Sequence, residues 1–231
     1  MLAALKISVD EILFAQGADP VRVRARRPAL VEIAQRAVEL GERLAEPQVI
    51  TRDFKVRRFF HQTLELEPDG RLSGGLVARH LAGASQVRLM VATLGAGLDA
   101  AIQEHIKDDP PLGLALDAYG SAAVEALGQA VCQQTRLDAE AQGWGASLAI
   151  SPGMIGWPVS EGQAQIFGVL KPDESIVQLT PGWQMRPQKS ISKAMGIGPA
   201  LSAQGQVCDY CEGRSTCAYS YRGHLLGLEA G

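Results

Sequence analysis

Three cysteines crowd into ten residues near the C-terminus, Cys208-Asp-Tyr-Cys211 and then Cys217, giving Cys-x2-Cys-x5-Cys in a glycine-containing segment. The x2 spacing lets two thiolate sulfurs point at one ion, about 2.3 Å away if the ion is zinc. The pattern predicts a bound metal, either zinc or an iron-sulfur cluster, rather than packing thiols. A tetrahedral centre wants a fourth ligand. Cys132 and His224 are the sulfur and imidazole candidates within the chain, beside a partner, a small ligand or water.

A second stretch suited to chemistry is Ile150-Ser151-Pro152-Gly153-Met154-Ile155-Gly156-Trp157-Pro158. Its prolines and glycines among large apolar residues predict a fixed, irregular backbone with amides open to a ligand. Upstream, Gly95, Gly97 and Ala100 satisfy the G-x-G-x-x-A spacing of dinucleotide-binding turns. No parallel strand is expected after the following helix, so a tight structural turn is the better reading. Glu125 is an acid in a helix lined with small residues, including Ala115, Ala118, Gly120, Ala122 and Gly128. Taken alone it reads as a solvent-facing helix charge, and the small residues as a surface for close approach of a helix or a ligand.

Helices and strands in mixed order must position these groups. Ser8 caps a short helix over Val9–Ala15 that Gly17 closes, and the apolar spacing from Pro28 to Leu44 predicts a longer one. The basic run Val21–Arg27 reads as a solvated start to that helix. Val49–Phe54 and Thr63–Leu66 read as a strand pair, Gly74–Leu81 as helical and Val87–Thr93 as the strongest strand. Helices follow to about Lys107 and over Leu112–Glu140. Ser160 and Gln163 suggest a capping box for a helix through Leu170, and Ser175–Leu179 a strand.

Several of these residues, in this order, resemble the S-adenosylmethionine-binding activation domain of cobalamin-dependent methionine synthase. They are Leu116–Ala126 (LDAYGSAAVEA), Ser151-Pro152-Gly153, Trp157-Pro158, Leu179-Thr180, Met185, Pro187, Ser190 and Ser192. The resemblance covers about Leu112–Pro199, and the first hundred residues are compatible with it. It implies an α+β fold of mixed helices around a small twisted, mainly antiparallel sheet over residues 1–200, with 201–231 as an added cysteine-cluster segment. It further implies that Ser151, Pro152, Gly153 and Met154 meet S-adenosylmethionine along their backbone, and that Glu125 is a ligand-side acid, suited to an ammonium or a ribose hydroxyl. The family sequence has an arginine where this chain has Ala149, and a tyrosine where it has Met154.

The activity so implied is reductive methylation of cobalamin. The chain itself lacks Asp-x-His-x-x-Gly, the sequence that donates a lower cobalt ligand, so the corrinoid belongs to a partner: a corrinoid protein or methionine synthase, with an electron donor as a further partner. No catalytic side chain is expected here, because the cobalt is the nucleophile and the sulfonium carries its own leaving group. The alternative is a non-catalytic metal or iron-sulfur module that docks on a corrinoid protein without binding S-adenosylmethionine. A net charge of -3 over 231 residues predicts no nucleic-acid partner. No run of 18 apolar residues and no secretory leader is evident, so a cytoplasmic protein with no membrane span is expected.

Overall fold

The computed structural model describes residues 6–211. Helix α1 (Val9–Ala15) starts in a reciprocal cap, in which the Ser8 hydroxyl accepts from the Glu11 amide and the Glu11 carboxylate accepts from the Ser8 amide. The basic run forms a helix of its own, α2 (Pro20–Arg26), because Asp19 caps it and Pro20 presets its first turn. Then come α3 (Pro28–Leu44), β1 (Gln48–Phe60), β2 (Thr63–Leu66), β3 (Gly70–Ser73), α4 (Gly75–Leu81), β4 (Gln86–Thr93) and α5 (Ala96–Asp108). The 31-residue α6 (Pro110–Glu140) is about 46 Å long at helical rise. After it follow β5 (Gly145–Ala146), α7 (Val159–Leu170), β6 (Gln178–Leu179), β7 (Met185–Arg186), β8 (Ser190–Gly198) and a 3-10 turn over Val207–Tyr210.

Six strands form one sheet in the order β3-β2-β1-β4-β8-β5, every pairing antiparallel, and β6 and β7 make a separate hairpin. A bulge between Val56 and Arg58 lets β1 pair with β4 along one half and with β2 along the other, which bends the sheet. Side chains alternate across β4 and β8, and the two faces have separate cores. Val87, Leu89, Val91 and Ala194 pack with α4, α7 and Trp157 on one face. Met90, Met195 and Ile197 face α6 on the other. The α6 core continues through Leu112, Leu116, Tyr119 and Ala123 onto α1, α3 and α5.

The turn after β4 is structural, as expected. Gly95 adopts φ +83, where a Cβ would sit 3.1 Å from that of Glu46, and β4 is flanked by antiparallel strands. Two local expectations are corrected. Helix α7 is preceded by Pro158 and has no side-chain cap; Gln163 is buried, and its side-chain carbonyl accepts from the Ser192 hydroxyl across the sheet face. The strand expected over Ser175–Leu179 shrinks to Gln178–Leu179, because Asp173 accepts from both the amide and the hydroxyl of Ser175 and holds a turn there. Strand β8 has no alternating pattern, since small residues and Lys193 occupy positions buried on both faces. Among the described residues no helix is long and apolar enough to cross a membrane.

Candidate functional site

The seam between α6 and β8 repeats one arrangement twice. On the helix, Asp117-x-x-Gly120 is followed one register later by Glu125-x-x-Gly128. Lys189, just ahead of β8, reaches Asp117 Oδ1 and the Ser121 hydroxyl, both at 2.9 Å, and Lys193, within β8, reaches Glu125 Oε1 at 2.8 Å. A Cβ on Gly120 would press on the Lys189 stem at 2.9 Å, and one on Gly128 would come within 3.2 Å of Lys193 Cε. Two of the helix's small residues therefore make room for lysine side chains crossing beneath it.

The second pair is the more buried. Lys193 is only 5% exposed, whereas the Glu125 side chain is 37% exposed, so the cation lies inside and its acid faces outward. A third cation extends the seam. Arg88 of β4 binds Asp53 of β1 through two nitrogens and Asp138 of α6 through a third. Arg88 and then Gln134 hold the Asp138 carboxyl below its ordinary range.

The segment before the loop runs along β8. The Ser147 amide donates to Gly196 O, and Ile150 and Ala194 exchange both backbone hydrogen bonds at 3.0 and 2.9 Å. The next residue, Ser151, leaves the bridge at the level of Lys193, and Ala149 packs beside Cys132.

From Ser151 to Trp157 the backbone folds on itself. Gly153 N donates to Trp157 O, Trp157 N to Met154 O, Met154 N to Ser151 O, and Ile155 N to Tyr210 O. The Ser151 amide lies 3.1 Å from the Met154 sulfur. The amides expected to be open to a ligand at Ser151, Gly153 and Met154 are thus engaged within the protein. Ser151 and Pro152 are half-buried and Gly153 is exposed, while the Met154 side chain is buried in the opposite core with Trp157.

Cys208 and Cys211 stand at the 3-10 turn, the first half-buried and the second exposed. Cys217 and His224 lie outside the described residues. Cys132 does not join Cys208 and Cys211. It is buried with Met90 and Met195 on the α6 face, whereas Tyr210, between Cys208 and Cys211, packs on the opposite core. Burial also pushes the Cys132 thiol up, away from the thiolate that a metal requires. Among the described residues no group of three His, Cys, Asp or Glu is arranged to hold a metal ion.

The Tyr210 ring meets His80 edge-on at 4.6 Å and lies under Arg79. His80 is buried, and its Nε2 has no hydrogen-bond partner among the described residues. Burial, and then the Arg79 charge, holds its pKa below the ordinary histidine value.

No protein-family model matches the chain, and no curated protein matches it. Among solved structures, the "Crystal Structure of the MetH Reactivation Domain bound to AdoHcy" superposes with a TM-score of 0.61. The match covers 98% of this chain and 82% of that one, at 16% sequence identity. The chain has the fold of the MetH reactivation domain. Within that reactivation-domain fold, the residues that carry the sequence resemblance fall on adjoining elements. Leu116–Ala126 is the middle of α6, Ser151-Pro152-Gly153 follows the edge of β8, and Ser190 and Ser192 lie in β8 itself. Glu125 binds Lys193 of β8, and the residue after Lys193, Ala194, bridges to Ile150, which precedes the Ser151 loop. The sequence reading missed Lys189 and Lys193, although the acid-x-x-Gly repeat on the helix and the Lys-x3-Lys at the start of β8 were visible signals.

Removing Glu125 leaves a buried ammonium uncompensated, whereas removing Lys193 also removes the cost of burying it. Glu125→Gln is expected to destabilise by roughly 1–3 kcal/mol, discounted for the exposed acid, and Lys193→Met by less. Urea denaturation checks the order, and a larger loss in Lys193→Met contradicts it. His80 gives a pH signature. An unfolded imidazole takes a proton near pH 6.5 that the folded one refuses, so stability falls as pH drops below that value. The wild type is expected to lose more stability between pH 7.5 and 5 than His80→Phe does, and equal losses in urea melts contradict the assignment.

Proposed function

We propose that this chain binds S-adenosylmethionine, and its product S-adenosylhomocysteine, in the groove between α6 and the Ser151 loop, and supports reductive methylation of cobalamin held by a partner. The observation that carries the reading is the likeness of fold, over nearly the whole chain, to a reactivation domain with AdoHcy bound. The Glu125–Lys193 pair beside Ser151 supports the placement, since it offers a carboxylate and a cation to a ligand that has an ammonium and a carboxylate.

In this role the chain orients the sulfonium. The methyl carbon leaves sulfur, whose electron pair stays on the S-adenosylhomocysteine formed, and bonds to cobalt through the electron pair of cob(I)alamin. One electron from a donor protein first reduces cob(II)alamin to that state. The partner is a corrinoid protein or methionine synthase, and positioning supplies the acceleration.

A second reading is favoured by the self-bonded loop. Because the amides of Ser151, Gly153 and Met154 are engaged internally and Ala149 is uncharged, the fold is also suited to docking on a corrinoid protein without a nucleoside ligand. In either reading residues 1–200 form the body and 201–231 a segment with Cys208, Cys211 and Cys217 as ligands of zinc or an iron-sulfur cluster, the latter a route for the reducing electron.

Isothermal titration calorimetry with S-adenosylhomocysteine separates the two. The first reading expects one site per chain, weakened by roughly tenfold in Glu125→Ala. No heat at millimolar ligand, with a corrinoid protein still retained by the chain, establishes the second.

A further inference from the structure

We propose that Lys193 is the residue that receives the carboxylate of the ligand's amino acid end, so that the Glu125–Lys193 pair recognises an α-amino acid zwitterion as a unit. This rests on the reading that the groove takes S-adenosylmethionine, and it assigns the chemistry of one end of that ligand.

The seam contains a built cation site. Lys193 is 5% exposed, and its stem lies in the space left by Gly128. An ammonium has three N–H donors, and among the described residues Glu125 is the one hydrogen-bond partner of this one. A buried cation with spare donors is a strong site for a second anion, because water competes poorly there. The Ile150–Ala194 bridge brings Ser151 to the level of Lys193, so a ligand lying along Ser151–Gly153 has its end at this ammonium.

Glu125 completes the match. Its carboxylate takes Lys193 on Oε1 and is 37% exposed, which leaves it able to accept from a ligand ammonium. An α-amino acid end laid head to tail on the pair puts carboxylate on Lys193 and ammonium on Glu125, with no net charge buried. Among the described residues, Ala149 is apolar and buried, Arg88 is occupied by Asp53 and Asp138, and Arg136 stands three turns further along α6, where it donates to Gln133.

Lys189 provides an internal control. It crosses the same helix and pairs with Asp117, but it also engages Ser121, and it precedes β8 beside the turn after β4, four residues from Lys193 and away from the Ser151 loop.

The test is calorimetry on the full chain with S-adenosylmethionine and with its decarboxylated form, which keeps the nucleoside, sulfonium and ammonium. The wild type is expected to prefer S-adenosylmethionine by roughly 10- to 100-fold. Lys193→Met is expected to lose that preference by weakening only the carboxylate-bearing ligand, Lys193→Arg to keep most of it, and Lys189→Met to keep all of it. Equal binding of the two ligands by the wild type overturns the assignment while leaving the groove reading in place, and needs no variant to fold. Loss of the preference in Lys189→Met overturns it as well, since the effect is then general to the seam. Binding of neither ligand by the wild type overturns both.

Discussion

Three cations, Arg88 and Lys193 from the sheet and Lys189 just ahead of β8, lie under one helix, and α6 has to approach closely enough for its carboxylates to reach them. That constraint explains the composition of the helix. Where a lysine stem crosses, the residue is glycine, and where the ammonium emerges, it is aspartate or glutamate. Such pairs add little net stability, because desolvating the charges offsets much of their attraction. Their value is in register. Sliding β8 by one residue would turn both lysines onto the opposite face, among Leu89, Val91 and Trp157. The same register sets Ile150 against Ala194, and so fixes where the Ser151 loop begins.

The elements with local signals were legible in the sequence. The Ser8–Glu11 cap, the periodic α3, the strand ending at Thr93 and the long helix after Pro110-Pro111 all lie where caps, prolines and periodicity place them. The order of motifs from Leu116 to Ser192 pointed to the right fold. Strand β8 was not legible, because a strand buried on both faces between β4 and the 145–150 edge carries no alternation. The site was half legible for a related reason. Glu125 stood out as an acid among small residues, but its partner is 68 positions away and crosses the helix from a strand that the pattern does not announce. The internal engagement of the loop amides was equally hidden, since composition says that a backbone is irregular and not where its hydrogen bonds end.

The functional reading joins these points. The loop at Ser151 is a folded, internally bonded corner, held by the buried Trp157 indole, whose N–H donates to Gln165, and by the Ile155 amide bound to Tyr210. It offers shape, while the adjoining seam offers charge, and a ligand with a flat nucleoside and a zwitterionic tail needs both. Under the proposed function, the sequence holds no Asp-x-His-x-x-Gly, and the corrinoid is assigned to another protein. Cys132, buried on the α6 side with its thiol pushed up by burial, belongs to the packing of that seam, apart from Cys208 and Cys211.

The central claim is that this seam and loop together form a ligand site. Amide chemical shifts of the isotopically labelled chain, followed by nuclear magnetic resonance during titration with S-adenosylhomocysteine, test it directly. The account predicts saturable shifts concentrated at Glu125–Gln129, Ser151–Met154 and Ser192–Ala194. Shifts confined to the β6–β7 hairpin or to Cys208–Cys211, or no shifts at millimolar ligand, would contradict it.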